Sequence, residues 1–408
     1  MQKSAKSTKH PVTPIEGGVT APTGFHAGSI RAGLKASGGN DLALLSSDRD
    51  CCAAGTFTTN AIRASSVDWC DNLLPSKRIR AVVVTSGCAN ACTGKRGEQD
   101  TAELAELTGK ALSVSAESVL VASTGVIGKF LPMDKVGEGI ASLAPTISAD
   151  GGTSFAEAIL TTDTHKKEAA VRVKLSSGTI VIGGCTKGSG MIEPNMATML
   201  AFITTDATIT PARLRAAVKR SVERTFNLLT VDGDTSTNDM VLALANGASG
   251  IAVTAEDQAA FDDGLFAVCS SLCKEIAADG EGATKRVEVA VRGAASPADA
   301  KRAAKAVANS NLTKCALFGN DPNWGRIACA IGYSGAVFSR EKMSIRLCGI
   351  PVFKNLQPVD FDEIKIHRLL KEPVVVIDID LGSGEAEAVA QTCDFSYNYV
   401  KINAEYHT

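Results

Sequence analysis

The chain has 408 residues, 45% hydrophobic and 21% charged, with a formal net charge of −2. That length supports two or three domains with ample core, and the near-neutral charge gives no case for a polyanion-binding surface. No apolar run reaches the ~20 residues a membrane helix needs, so neither nucleic acid nor membrane is expected as a partner.

Residues 1–16 contain Lys3, Lys6 and Lys9 but lack the apolar core of a secretory signal. A flexible start is expected there. From Gly17 to Gly55 the chain is Gly-rich with short apolar runs, which predicts short strands and turns. Arg80 to Thr85 (RAVVVT) reads as a buried strand, and the SGCANACTG after it as a loop. Ala102 to Leu112 has the pattern of an amphipathic helix. Val119 to Ala122 reads as a second strand ending in Ser123-Thr124-Gly125-Val126-Ile127-Gly128. A glycine-bearing turn of that kind can offer a hydroxyl and a backbone N–H to an oxyanion.

After Thr161-Thr162-Asp163-Thr164, the segments Glu168 to Leu175 and Thr179 to Ile182 read as a hairpin across a Ser-Ser-Gly turn. The hairpin delivers the chain to KGSGMIEPNMATMLAFITTDA, from Lys187 to Ala207. Glycines there allow close backbone approach, and Pro194 disfavours helix at Glu193. Lys187 is not a nucleotide-loop lysine, because Gly rather than Ser or Thr follows it. A Lys at this place suits a carboxylate as a point charge. Ala197-Thr198 stands just before an apolar run. A threonine hydroxyl is a weak nucleophile unless a base activates it, and its own α-amine is the nearest base. That amine exists only if the bond between Ala197 and Thr198 is cut, so self-cleavage is the hypothesis.

Pro211 to Asn227 predicts a helix with Pro in its first turn and a solvated basic face of Arg213, Arg215, Lys219, Arg220 and Arg224. Asp232 and Asp234 follow in a partial match to an aspartyl-phosphotransferase loop, read as structural or site-lining. Ala255 to Ala278 predicts a long helix with Cys269 and Cys273 on one buried face. Glu281 is flanked by glycines, so its carboxylate can approach a ligand closely. Arg286 to Val291 predicts a strand, Pro297 to Ser310 a helix, Asp321 to Arg326 a polar loop, and Val374 to Asp380 a strand. The twelve cysteines include no CxxC pair and do not cluster with the five histidines. No four-ligand zinc set follows. Reduced thiols in the cytoplasm are expected, with an organelle stroma or matrix as the second reading.

The string around Thr198 resembles the autocleavage segment of the ornithine acetyltransferase family, also called bifunctional glutamate N-acetyltransferase. GGVTAPTGFHAGSIRAGLKASGGNDLALLSSD, AAGTFTTN, ANACTG, VLVASTGVIGKFLPM, AILTTDT, TVDGDTSTND, DGEGATK, FGNDPNWGRI and CDFSYNYVKINAEYHT are similar to that family in order. Together they span about Gly17 to Thr408. The family usually has Asn where this chain has Thr85 and Cys88.

The resemblance implies an α+β fold: a layered αββα sandwich of mixed sheets with a smaller C-terminal lobe. It implies cleavage into two intertwined chains, alpha (17–197) and beta (198–408), assembled as alpha2-beta2. By the same resemblance Thr198 is the nucleophile, and Thr124 and Gly125 form the oxyanion hole. Glu281 is catalytic and substrate-binding, and Thr161, Lys187, Asn403 and Thr408 contact substrate. The implied reaction passes acetyl from N2-acetyl-L-ornithine to L-glutamate by a ping-pong acetyl-Thr198 intermediate, without metal or cofactor. Acetyl-CoA as a second donor is left open. The runner-up is a self-processing amidase or aminopeptidase in which water takes the acyl group. A phosphotransferase built on Asp232 and Asp234 is more distant.

Overall fold

A computed structural model of the chain describes residues 12–193 and 199–405. Ala197, Thr198 and Thr408 lie outside the described residues.

The larger lobe carries nine strands among the described residues. They are β1 (Val12–Ile15), β2 (Phe25–Ile30), β3 (Leu42–Phe57), β4 (Ser76–Cys88), β5 (Val119–Val126), β6 (Lys167–Leu175), β7 (Gly178–Lys187), β8 (Leu200–Thr205) and β9 (Met240–Ala245). Its helices are α1 (Ser65–Leu73), α2 (Gly94–Leu112), α3 (Met133–Leu143), α4 (Gly152–Ala158), α5 (Pro211–Arg224) and α6 (Gln258–Ala278). The strands hydrogen-bond in the order β1-β6-β7-β8-β9-β3-β4-β5, with β2 also on β3.

Strand β3 joins two layers. Its first residues pair with β2 and β4, and Cys52 to Phe57 pair with β9. Between them the register shifts, and Asp48, Arg49 and Asp50 are exposed at the bend. The sheet therefore turns back on itself. Period-two alternation shows the result. Val82, Val84, Leu120 and Ala122 face Leu200, Phe202, Met240, Leu242 and Leu244 in one core. Their neighbours face outward. Ala81, Val83, Val119 and Val121 meet Leu104 of α2 and Val136 and Ile140 of α3. Ala201, Ile203, Val241 and Ala243 meet α5 and α6. The layers are helix, sheet, sheet, helix, in agreement with the αββα expectation. Each fully buried Val, Leu or Ile adds roughly 1.5–3 kcal/mol.

α6 presents Phe261, Leu265, Val268, Leu272 and Ile276 at helical spacing to the core, with Cys269 and Cys273 buried among them. The basic face of α5 is not simply solvated. Arg213 donates to Gln258, Val253 O and Thr254 O, Arg220 pairs with Asp262, and Arg224 lies over Phe266. A neighbouring helix with carboxylates and an aromatic ring uses that face. Residues 12–15, expected to be part of a flexible start, form an edge strand on β6. Their pairing satisfies the outer edge of the β6–β7 hairpin.

The smaller C-terminal lobe is a six-stranded mixed sheet in the order β13-β12-β11-β14-β10-β15. These strands are β10 (Arg286–Ala294), β11 (Ser344–Leu347), β12 (Ile350–Lys354), β13 (Gln357–Pro358), β14 (Val374–Asp380) and β15 (Ala386–Cys393). Its helices are α7 (Pro297–Ala308), α8 (Asn311–Phe318), α9 (Trp324–Tyr333) and α10 (Glu363–Leu369), and the chain closes with α11 (Tyr397–Glu405). Ser296 caps α7 by accepting from Asp299 N. The Asp321–Arg326 segment, expected as a loop, enters α9 at Trp324, whose ring stacks on Phe353 with centroids 5.0 Å apart.

Candidate active site

One cavity gathers the ends of β5, β7 and β8, the loop after η-turn residues 226–228, and α11. Its volume is about 140 Å³. Thr124, Gly125, Thr161, Lys187, Glu281 and Asn403 all line it, although they come from segments far apart in the sequence. Met199, the residue after Thr198, lines it as well.

Thr124 closes β5. Its side chain is buried, and its hydroxyl has no hydrogen-bond partner among the described residues. Gly125 has φ +127°, and a Cβ there would come within 2.4 Å of the Gly87 carbonyl carbon. Only glycine fits a left-handed position this close to a neighbouring strand. The turn after β5 thus exists because β4 runs alongside it.

Lys187, the last residue of β7, is held by a buried charge network. Lys167 is fully buried and donates to Asp163 Oδ1 at 2.7 Å and Asp279 Oδ2 at 2.6 Å. Asp163 also accepts from Gly188 N at 2.6 Å and Thr161 N at 3.1 Å, and its Oδ2 lies 4.0 Å from Lys187 Nζ. Burial pushes the Asp163 carboxyl up, but Lys187, Lys167 and the Gly188 N–H together hold it down at about 2. Asp163 therefore orients both Thr161 and Lys187. Lys35 stands nearby, donating to Asn40 O and Ala158 O. Burial, with the charge of Lys187, lowers its ammonium to about 8 against the pull of Asp41 and Asp163.

The cavity lining also carries carboxylates. Glu281 is buried, donates its N–H to Ser189 O at 2.8 Å, and accepts from Asn403 Nδ2 at 2.8 Å. Gly190 packs against it so closely that a Cβ would lie 2.3 Å from the carboxyl carbon. Asp232 accepts from Met191 N at 2.7 Å and Ile192 N at 2.8 Å. Burial raises its carboxyl despite those N–H groups. The Tyr399 hydroxyl is raised by burial and by the carboxylates of Asp232, to which it hydrogen-bonds, and Glu281. Met191 takes φ +55°, a left-handed conformation that costs a non-glycine residue roughly 1–2 kcal/mol.

A cavity lined by both an ammonium, Lys187, and carboxylates, Asp232 and Glu281, carries the charge types that a zwitterion, the ordinary state of an amino acid, requires. Such charges act strongly in a cavity shielded from water. Asp163, Lys167, Asp279 and Tyr399 were not singled out in the sequence, whereas Asp232 and Asp234, read as structural or site-lining, both line the cavity. The one signal for Asp163 was its place between three threonines just before a strand. The two departures from the family pattern lie behind the site. Thr85 donates to Ser123 Oγ at 2.9 Å and Cys88 Sγ to Lys129 O at 3.2 Å, and neither lines the cavity.

The family model described as the ArgJ family matches residues 26–408. The chain is 50% identical over 399 residues to the arginine biosynthesis bifunctional protein ArgJ of Symbiobacterium thermophilum, covering 97% of this chain and 99% of that protein. It is 47% identical over 411 residues to the chloroplastic protein of the same name from Oryza sativa subsp. indica, covering 98% and 89%. Among solved structures, arginine biosynthesis bifunctional protein argJ from Bacillus halodurans is 45% identical, with a TM-score of 0.49. The match covers 50% of this chain and 98% of the solved chain.

Proposed function

The chain belongs to the ArgJ family, and from that premise we propose that it moves an acetyl group from N2-acetyl-L-ornithine to L-glutamate through Thr198, after cutting itself before that residue. It is an acetyl-transferring enzyme of arginine biosynthesis. What supports the finer reading is one observation. Thr124, Gly125, Lys187 and Glu281 converge on the cavity that Met199 enters, one residue after Thr198.

In the first step Thr198 Oγ attacks the Ala197 carbonyl carbon. The peptide C–N bond breaks, and the hydroxyl proton passes to the leaving nitrogen, now the α-amine of Thr198. Water then cleaves the ester, leaving a carboxylate on Ala197 and a free hydroxyl on Thr198. In the mature enzyme that amine takes the hydroxyl proton while Oγ attacks the acetyl carbonyl. The Thr124 hydroxyl and Gly125 N–H receive the oxyanion, a contact whose loss typically costs about 10²–10³ in rate. Ornithine departs with the proton on its α-amine. The glutamate α-amine then attacks the acetyl ester, the acyl C–O bond breaks, and the proton from that amine returns to Thr198 Oγ as N-acetyl-glutamate leaves. Lys187 binds the substrate carboxylate, and Glu281, with Asn403, holds the amine end. Thr161 completes the substrate wall, and Thr408 contacts substrate at the chain end.

A cavity of about 140 Å³ is close to those that hold a single benzene-sized ligand. That size favours one substrate at a time, as ping-pong exchange requires. Sheet order supports two intertwined chains, alpha (17–197) and beta (198–408), since β8 and β9 lie between β7 and β3; the alpha2-beta2 pairing is proposed from the family resemblance alone. Among the described residues no helix is long and apolar enough to cross a membrane. We propose a cytoplasmic enzyme, with an organelle stroma or matrix as the second reading.

Intact mass under denaturing conditions tests the reading. Wild type should give two fragments, the second starting at Thr198 and one acetyl heavier after exposure to N2-acetyl-ornithine. Thr198→Ala should stay whole. An acetyl that passes only to water and never to glutamate would establish the amidase instead.

A further inference from the structure

Five residues, 194–198, separate Glu193 from Met199. Both ends are fixed. Downstream, Leu200 pairs with Lys187 on one side and Met240 on the other. Upstream, two carboxylates do the work. Asp232 takes the N–H groups of Met191 and Ile192. Glu193 reaches the smaller lobe, where its Oε1 lies 2.8 Å from Lys305 Nζ and its Oε2 accepts from Asn309 Nδ2 at 2.5 Å. Its backbone is held too: Glu193 N donates to Asp234 O at 2.9 Å, and Glu193 O accepts from Thr235 Oγ1 at 2.9 Å.

We propose that Asp232 and Glu193 form a clamp that positions the chain for self-cleavage and afterwards keeps the end of the first fragment on the second. The proposal rests on the reading that Thr198 cuts the chain. Glu193, Met191 and Ile192 precede residue 198, while Asp232, Lys305 and Asn309 follow it, so each contact spans the two prospective fragments. The physical reason is proximity. Attack of a hydroxyl on the carbonyl of the preceding residue needs a contorted backbone. Fixing both ends of a short segment removes the freedom that would otherwise oppose that geometry. The left-handed Met191 is held on its N–H side by Asp232, the kind of surrounding contact that lets a strained backbone persist. These are positioning residues: neither carboxylate needs to touch the reacting atoms.

The test follows the full-length chain made by cell-free translation, with intact mass read over time. Wild type, Glu193→Ala, Lys305→Ala, the double variant and Asp232→Asn are compared. Thermal midpoints are measured for the same variants in a Thr198→Ala background. We expect Glu193→Ala and Lys305→Ala each to slow cleavage about tenfold, and Asp232→Asn by about a hundredfold. The double variant should be no slower than the slower single one, because the two side chains act as one contact. Midpoints should move by only a few degrees. Exchanging the charges, Glu193→Lys with Lys305→Glu, should recover most of the rate. Wild-type cleavage with unchanged rates in the variants overturns the clamp alone, as do rates that fall only in step with the midpoints. A wild-type chain that never cleaves overturns the cleavage reading and the clamp with it.

Discussion

Asn403 Nδ2 donates to Glu281 Oε2 at 2.8 Å, tying the last helix of the chain to a carboxylate inside the cavity. Tyr399, one turn earlier on α11, reaches Asp232 on the same side. Helix α11 is therefore a wall of the site.

Asn403→Ala should leave that carboxylate in place but free to swing. We expect kcat/KM to fall about ten- to a hundredfold, mainly through KM, since a hydrogen bond to a charged group contributes roughly 1.5–3 kcal/mol. Self-cleavage should proceed as in wild type. Steady-state kinetics beside intact mass would decide it, and loss of cleavage would contradict a role confined to substrate.

Asp163 gives a pH prediction. Its folded-state carboxyl is held at about 2, below the ~3.9 of an unfolded aspartate. Its stabilisation is thus fully present above about pH 4 and is lost as pH falls towards 2. Asp163→Asn should flatten that part of the curve of thermal midpoint against pH. At neutral pH it should cost roughly 3 kcal/mol, because Lys167 is left buried with one carboxylate fewer. KM for the substrate should also rise, since Lys187 and Thr161 lose their anchor.

Two glycines should separate stability from activity. At Gly125 an added Cβ meets the backbone of Gly87 at 2.4 Å, which cannot move cheaply. Gly125→Ala should lower the melting temperature by several degrees or prevent folding. At Gly190 the added Cβ meets the free end of the Glu281 side chain. Gly190→Ala should keep its melting temperature and lose about a hundredfold in kcat. Calorimetry with activity assays on both variants would show whether the contrast holds.

The sheet order predicts how the cut protein behaves. β8 and β9 carry hydrogen bonds to β7 on one side and β3 on the other. Fragments 1–197 and 198–408 should co-elute on native gel filtration and separate only in denaturant. Separation at neutral pH without denaturant would contradict the pairing.

The sequence by itself determined the chemistry of the parts. The Val-rich run from Ala81 to Val84, the hairpin before Lys187, the helix bearing Cys269 and Cys273, and the residues named for the cavity were all legible. Local periodicity and turn chemistry act over a few residues, and motif strings keep the residue types that reactions need. What only the tertiary structure decided was which distant segments meet. Asp163, Lys167 and Asp279 become one network because β6 and α6 pack together. Arg213 and Arg220 on the exposed basic face of α5 find partners in Gln258 and Asp262 because α6 lies beside it, and residues 12–15 are a strand because β6 offers them an edge. Thr85 and Cys88 point away from the cavity because β4 and β5 pair in that register. Pairing and burial of this kind are set by contacts among residues far apart in the chain, and no local pattern carries them.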